Sequence, residues 1–168
     1  IYWRTRASEG TTERDAGAMI ADGVEALRRG WMPESAWPHE PTWGARWTTR
    51  PPTLAEDAPR VVNAEALAIT VDDVLWSLAC AEIVVAGFRI TRQWEELTGD
   101  TIGEVEGPSI AGHAVTLIGY SRDRNAVRVR NSWSKSHGDG GEFWLDFDWL
   151  RLGVCGEAFA IRAVRRAP

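Results

Sequence analysis

Apolar positions recur at strand period through Ala114-Val115-Thr116-Leu117-Ile118-Gly119-Tyr120, stop at Ser121-Arg122-Asp123-Arg124-Asn125, and resume through Ala126-Val127-Arg128-Val129-Arg130. Two such runs around a polar turn predict an antiparallel hairpin. Pairing Tyr120 with Ala126 sets Asn131 opposite Val115 and Trp133 opposite His113. Opposed residues share a face, and diagonal neighbours lie about 7–8 Å apart. This register gathers His113, Asn131 and Trp133 on one face, at the end away from the turn.

The rest of the chain carries weaker patterns. Ile1-Tyr2-Trp3-Arg4 reads as the end of a helix already under way, followed by a polar segment. Asp15 is a plausible N-cap for a helix keeping Met19, Ile20, Val24 and Leu27 on one face and stopping at Gly30. Pro41, Gly44, Pro51, Pro52 and Pro59 then predict an irregular crossing between two lobes. A strand is expected over 61–69. A capping box at Thr70–Asp73 opens a helix with an apolar face of Val71, Val74, Leu75 and Leu78. A buried strand is expected over 83–90 and a Gly- and Pro-containing loop over 98–111. The run Phe143-Trp144-Leu145-Asp146-Phe147 is apolar enough to be covered on both faces, and a closing strand is expected over 158–164 before a frayed tail. Arg128 and Arg130, alternating with valines, read as a solvated strand face, and 94–96 as a cleft lining or an exposed helical turn.

An imidazole, an amide able to orient it and an indole to cover both make half of a nucleophilic catalytic set. Taken singly, His113 would read as a structural histidine, Asn131 as a strand-end hydrogen-bonding residue and Trp133 as a core aromatic. Convergence on one face reverses those readings. The segments GHAV at 112–115 and RNSW at 130–133 closely resemble the C-terminal part of papain-like cysteine peptidases. There, a GHAV-type strand supplies the base and an NSW strand the orienting asparagine and its covering tryptophan. Gly138 and Gly141 fall where that pattern has glycines. The chain departs at Ser134, where glycine is usual, at His137, where a second tryptophan is common, and at Glu142, where an aromatic is common. Trp31-Met32-Pro33-Glu34 and Trp37-Pro38-His39 resemble the family's interlobe connection, with His39 replacing a tyrosine.

The resemblance implies an α+β, papain-like two-lobed fold. Residues 1–59 would be the remnant of a truncated helical first lobe with its crossover, and 60–168 an antiparallel barrel-like second lobe with one helix. It implies His113 as the catalytic base, Asn131 as its orienter and Trp133 as support. The substrate would be a peptide or protein, and no cofactor or metal is called for. The nucleophilic cysteine, with the glutamine and backbone amide that hold the oxyanion, would precede Ile1. Without that segment the chain is expected to be inactive and to leave apolar surface near Val115 and Leu117 open to water, favouring association. A non-catalytic peptide-binding module and a cysteine acyltransferase or amidase remain as alternatives.

Composition narrows the picture further. At 168 residues the chain can bury a real core, and 44% hydrophobic with 26% charged residues are ordinary globular values. A net charge of −5 argues against general nucleic-acid binding, and no apolar run is long enough for a membrane span. Lys135 is the only lysine, a bias expected of a GC-rich, bacterial source. Four of the ten tryptophans, Trp31, Trp37, Trp43 and Trp47, sit in the Pro-rich stretch. The two cysteines form neither a disulfide framework nor a metal-ligand spacing. Cys80 ends an apolar helix and is expected in the core. Cys155 resembles a disulfide-bonded cysteine near the family's chain end, and because 104–112, where the resemblance places its partner, has no cysteine, it is expected to be a free, buried thiol. His39 and His137 have no companions at metal-ligand spacing, and Asp139-Gly140-Gly141 reads as a turn.

Overall fold

The computed structural model describes residues 1–14, 16–38 and 48–165. The chain divides into two compact units, one of Ile1–Ala64 with the chain end from Ala163, the other of Glu65–Arg162.

In the first unit α1 (Tyr2–Glu9) is a helix of eight residues. Gly10, at φ 69°, stops it in the left-handed conformation that glycine adopts without strain. The second helix, α2 (Ile20–Arg29), starts from Met19 and not from Asp15, which lies outside the described residues. Val24 and Ala26 are buried on it, as are Ala58 and Val61 on the chain that follows. The chain turns at Gly30, where a Cβ would meet the Ala58 side chain and the Pro59 carbonyl at 3.3 Å. Of the expected irregular crossing, 48–59 holds no helix or strand, while His39, Trp43 and Trp47 lie outside the described residues. Strand β1 (Arg60–Ala66) ends three residues short of the expected 61–69.

The second unit is built on a sheet. Helix α3 (Val71–Ala79) has Thr70 as its N-cap, whose hydroxyl accepts from the Asp73 amide at 3.1 Å. Strand β2 (Ile83–Ile90) and a single turn, α4 (Arg92–Glu95), follow, then a two-residue strand, β3 (Thr101–Ile102). The hairpin is β4 (Ala111–Ser121) and β5 (Ala126–Arg130), continued by β6 (Glu142–Asp146), α5 (Asp148–Arg151) and β7 (Cys155–Arg165). The seven strands run in the order β1-β7-β2-β4-β5-β6-β3. The β2–β4, β2–β7, β4–β5 and β5–β6 pairings are antiparallel, and β3–β6 is parallel, so the sheet is mixed at one edge. That edge forms because the loop after α4 returns alongside β6, where the Trp144 amide donates to the Asp100 carbonyl at 2.7 Å.

Three local expectations are corrected. Val115 and Leu117 are buried, because α3 of this same chain packs Val74, Leu75 and Leu78 into their cluster. On β6 only the Phe143 and Leu145 face is fully buried. Trp144 on its other face is half-buried beneath the guanidinium groups of Arg124 and Arg128, 5.2 and 5.3 Å from the ring centroid. Arg128 is accordingly covered rather than solvated, ion-paired to Glu142 at 3.1 Å and Asp139 at 2.9 Å.

Candidate active site

Strand pairing brings the hairpin residues together by a route the alternation pattern does not contain. Beside the turn, Ser121 faces Ala126 and Tyr120 faces Val127, one residue away from the expected register. A β-bulge between Leu117 and Gly119 absorbs the offset, so that beyond it Leu117 faces Val129 and Thr116 faces Arg130. From that point the register is the expected one, and it carries Asn131 to the neighbourhood of His113. The His113 Nε2 and Asn131 Oδ1 atoms are 2.7 Å apart. The Trp133 ring lies 4.9 Å from the His113 ring and 4.8 Å from the His137 ring, with its outer side open to solvent.

Burial pushes the half-buried His113 imidazole below the ordinary histidine range, with the Asn131 hydrogen bond opposing this and the nearby His137 adding to it. The ring is therefore neutral at neutral pH and able to accept a proton.

The loop from Asn131 to Gly141 is held by its own backbone. The Asn131 amide donates to the Gly141 carbonyl at 2.9 Å, and Asp139 and Glu142 exchange amide–carbonyl bonds at 2.7 and 3.1 Å. Glu142, at the base of the loop, ties Arg128 and Arg130 together at 3.1 and 2.6 Å. Gly138 has φ 67°, and a Cβ there would stand 2.4 Å from the Glu142 carbonyl oxygen. The left-handed conformation alone costs a non-glycine residue about 1–2 kcal/mol, and the backbone clash adds to it. Gly138→Ala is expected to lose at least about 2 kcal/mol of stability, read as a lower urea midpoint. A midpoint equal to the parent's would mean the loop has another way to close.

Two residues central to this geometry escape sequence reasoning. Trp94, expected in a cleft lining or an exposed turn, is fully buried on α4 and stands edge-on to the His113 ring at 6.0 Å. His137 bridges the two, its Nε2 2.7 Å from the Trp94 carbonyl oxygen and its Nδ1 3.3 Å from the Asn131 side-chain nitrogen. Six positions separate Asn131 from His137 across a glycine-rich loop, with no strand or helix period to relate them. The only signal for His137 is its position where the resembling pattern carries a tryptophan.

Neither cysteine joins the group. Cys155 is buried and free, its thiol pushed up to about 11 by burial, and so stays protonated at neutral pH. Cys80, expected in the core, is exposed, because it caps the C-terminal end of α3 and points past the helix's buried face. Among the described residues no group of three or more His, Cys, Asp or Glu could hold a metal ion, and no helix is long and apolar enough to cross a membrane.

No protein-family model matches the sequence. The chain is 25% identical over 167 residues to an uncharacterized peptidase C1-like protein of Acanthamoeba polyphaga mimivirus, covering 89% of this chain and 53% of that protein. It thus spans about half the length of the curated relative it matches. Among solved structures it resembles xylellain, a cysteine protease from Xylella fastidiosa, with 26% identity and a TM-score of 0.86 over 98% of this chain and 68% of that one. A cysteine protease of Carica candamarcensis shares the fold at a TM-score of 0.61 and 16% identity, over 85% of this chain and 67% of the other.

Proposed function

We propose that this chain, a member of the papain-like cysteine peptidase family by its relatives and its fold, carries the base half of a Cys–His–Asn site that hydrolyses peptide bonds. The observation that carries the reading is the 2.7 Å contact between His113 Nε2 and Asn131 Oδ1 beneath the Trp133 ring. In it His113 takes the proton of a cysteine thiol, and the thiolate attacks the peptide carbonyl carbon. His113 then returns the proton to the departing amine, and afterwards activates the water that releases the acyl group. Asn131 keeps the ring in one tautomer, and Trp133 strengthens their bond by excluding water from one side.

The nucleophile in this reading comes from sequence outside 1–168, with residues 1–59 as the remnant of a helical lobe and its crossover and 60–168 as the lobe bearing the base. The arginine-rich, lysine-poor composition and the likeness to a Xylella protease support a bacterial source.

The exposure of Cys80 and the high thiol pKa of Cys155 give a separable expectation. A maleimide should label Cys80 rapidly in the native chain and Cys155 only on unfolding, and Cys80→Ala should leave peptide turnover within about twofold of the parent. Loss of turnover in Cys80→Ala would make that residue the nucleophile and end the proposal for an outside one.

The deciding experiment is cleavage of a fluorogenic peptide panel by the intact protein, with and without a thiol-directed irreversible inhibitor. Inhibitor-sensitive cleavage is expected. Peptide binding without cleavage would favour a binding module, and turnover only of small amides or acyl donors an amidase or acyltransferase.

A further inference from the structure

We propose that His137 is a positioning residue that acts through Asn131, holding its amide so that Oδ1 faces His113 and Nδ1 of His113 is left as the proton acceptor. The proposal rests on the peptidase reading above for its consequence, but its chemistry is fixed by groups of known character at each end of a hydrogen-bond chain.

One end is the Trp94 carbonyl, which can only accept. His137 Nε2, 2.7 Å from it, therefore carries the proton. The Asn131 atom 3.3 Å from His137 Nδ1 is the side-chain nitrogen, a donor, so Nδ1 is the acceptor of that bond. A second fixed group agrees: the Ser132 backbone N–H donates to Asn131 Oδ1 at 2.8 Å. With both ends set, Asn131 Oδ1 accepts from His113 Nε2 at 2.7 Å, and the proton on that ring sits on Nε2. Nδ1 is then the free lone pair.

The fold builds His137 in for this task. The Ser134 carbonyl accepts from the His137 amide at 3.3 Å, Ser136 is tied back to Ser134, and Gly138 turns the chain immediately after. The His137 ring stands edge-on to Trp133 at 4.8 Å and to Phe143 at 5.5 Å, so two aromatic walls and two hydrogen bonds leave it one orientation. An apolar ring at 137 could fill this space but could not accept from Asn131. The amide would then keep only its Oδ1 bonds, to Ser132 and His113, with its nitrogen unheld.

Two variants separate these roles. His137→Phe keeps a ring and removes both hydrogen bonds. His137→Asn places a carbonyl oxygen near the position of Nδ1 and keeps the acceptor. In the 168-residue chain labelled with ¹⁵N-histidine, the parent and His137→Asn should show a slowly exchanging His113 Nε2–H proton, which His137→Phe should lose to fast exchange. In the intact protein His137→Phe should lower kcat about 10- to 100-fold with KM little changed, and His137→Asn should recover most of it. Added to Asn131→Ala, His137→Phe should cost nothing further, as two residues acting through one bond require. A merely structural role would still lower kcat in the Asn131→Ala background. If His137→Phe does not fold, His137→Leu removes the same acceptor. An unchanged His113 Nε2–H signal in the apolar variant overturns the proposal even in an active enzyme. An intact protein that cleaves nothing overturns the peptidase reading and leaves the proton signal to decide the positioning.

Discussion

On the proposed peptidase reading, His113→Ala in the intact protein will lower peptide-cleaving kcat/KM by at least about 10³-fold, the scale set by losing a general base that also protonates the leaving group. Folding will change little, because His113 is only half-buried and its side-chain bonds are to Asn131 and the Trp133 face. The expected stability loss is within about 1 kcal/mol, visible as a near-parental urea midpoint. One slice of acid dependence should also flatten. Burial lowers the His113 pKa in the folded chain, so near and below about 6.5 the unfolded chain binds more protons, and stability falls as pH falls through that range. Alanine removes this contribution. Asn131→Ala should cost less, about 10- to 100-fold, since it orients the base without exchanging protons. An alanine variant at 113 that kept activity within tenfold of the parent would show that the site lies elsewhere.

The hairpin was legible because alternation along β4 and β5 says which residues share a face. The bulge at Ile118 was not, since a one-residue offset leaves no mark in a pattern that reads Leu117-Ile118-Gly119 as continuous strand. The expected register fails beside the turn and returns only for the last two pairs before β5 ends at Arg130, because one irregularity cancels one misplaced pair. Thr70 and Asp73 announced α3 through side-chain chemistry that acts within three residues. What α3 covers is a long-range fact. Val115 and Leu117 looked like surface awaiting a missing helix, and they are buried in a cluster to which α3 contributes. Cys80 failed for the opposite reason: a residue at the end of an apolar run need not point where the run points. His137 and Trp94 meet across forty-three positions through a backbone carbonyl, a partner that no side-chain pattern encodes.

The largest stability effect is expected at Trp94. The ring is fully buried and packed against Phe88 at 5.9 Å, Phe143 at 5.2 Å and Trp149 at 5.5 Å, with His113 at 6.0 Å on the side of the site. These neighbours come from β2, β4, β6 and α5, so no single shift can fill the space an alanine would leave. Trp94→Ala should therefore cost about 3–5 kcal/mol, a large share of the roughly 5–15 kcal/mol that holds an ordinary domain. The indole N–H has no hydrogen-bond partner among the described residues, so Trp94→Phe gives up volume but no bond and should cost about half as much. The carbonyl of residue 94 survives both substitutions. Its position should shift, because the buried ring anchors this single turn of helix together with the bonds of Gln93 to Glu104 and Glu106. Trp94→Ala should then weaken the bond from His137 as well, and the His113 Nε2–H proton should exchange faster while the chain is still folded. Urea unfolding with an unchanged m-value measures the first effect, and proton exchange below the unfolding transition measures the second. If Trp94→Ala unfolds within about 1 kcal/mol of the parent, the ring is not a keystone of this core. If it is strongly destabilised but His113 keeps its slow proton, then β4 and β5 hold the site without help from α4.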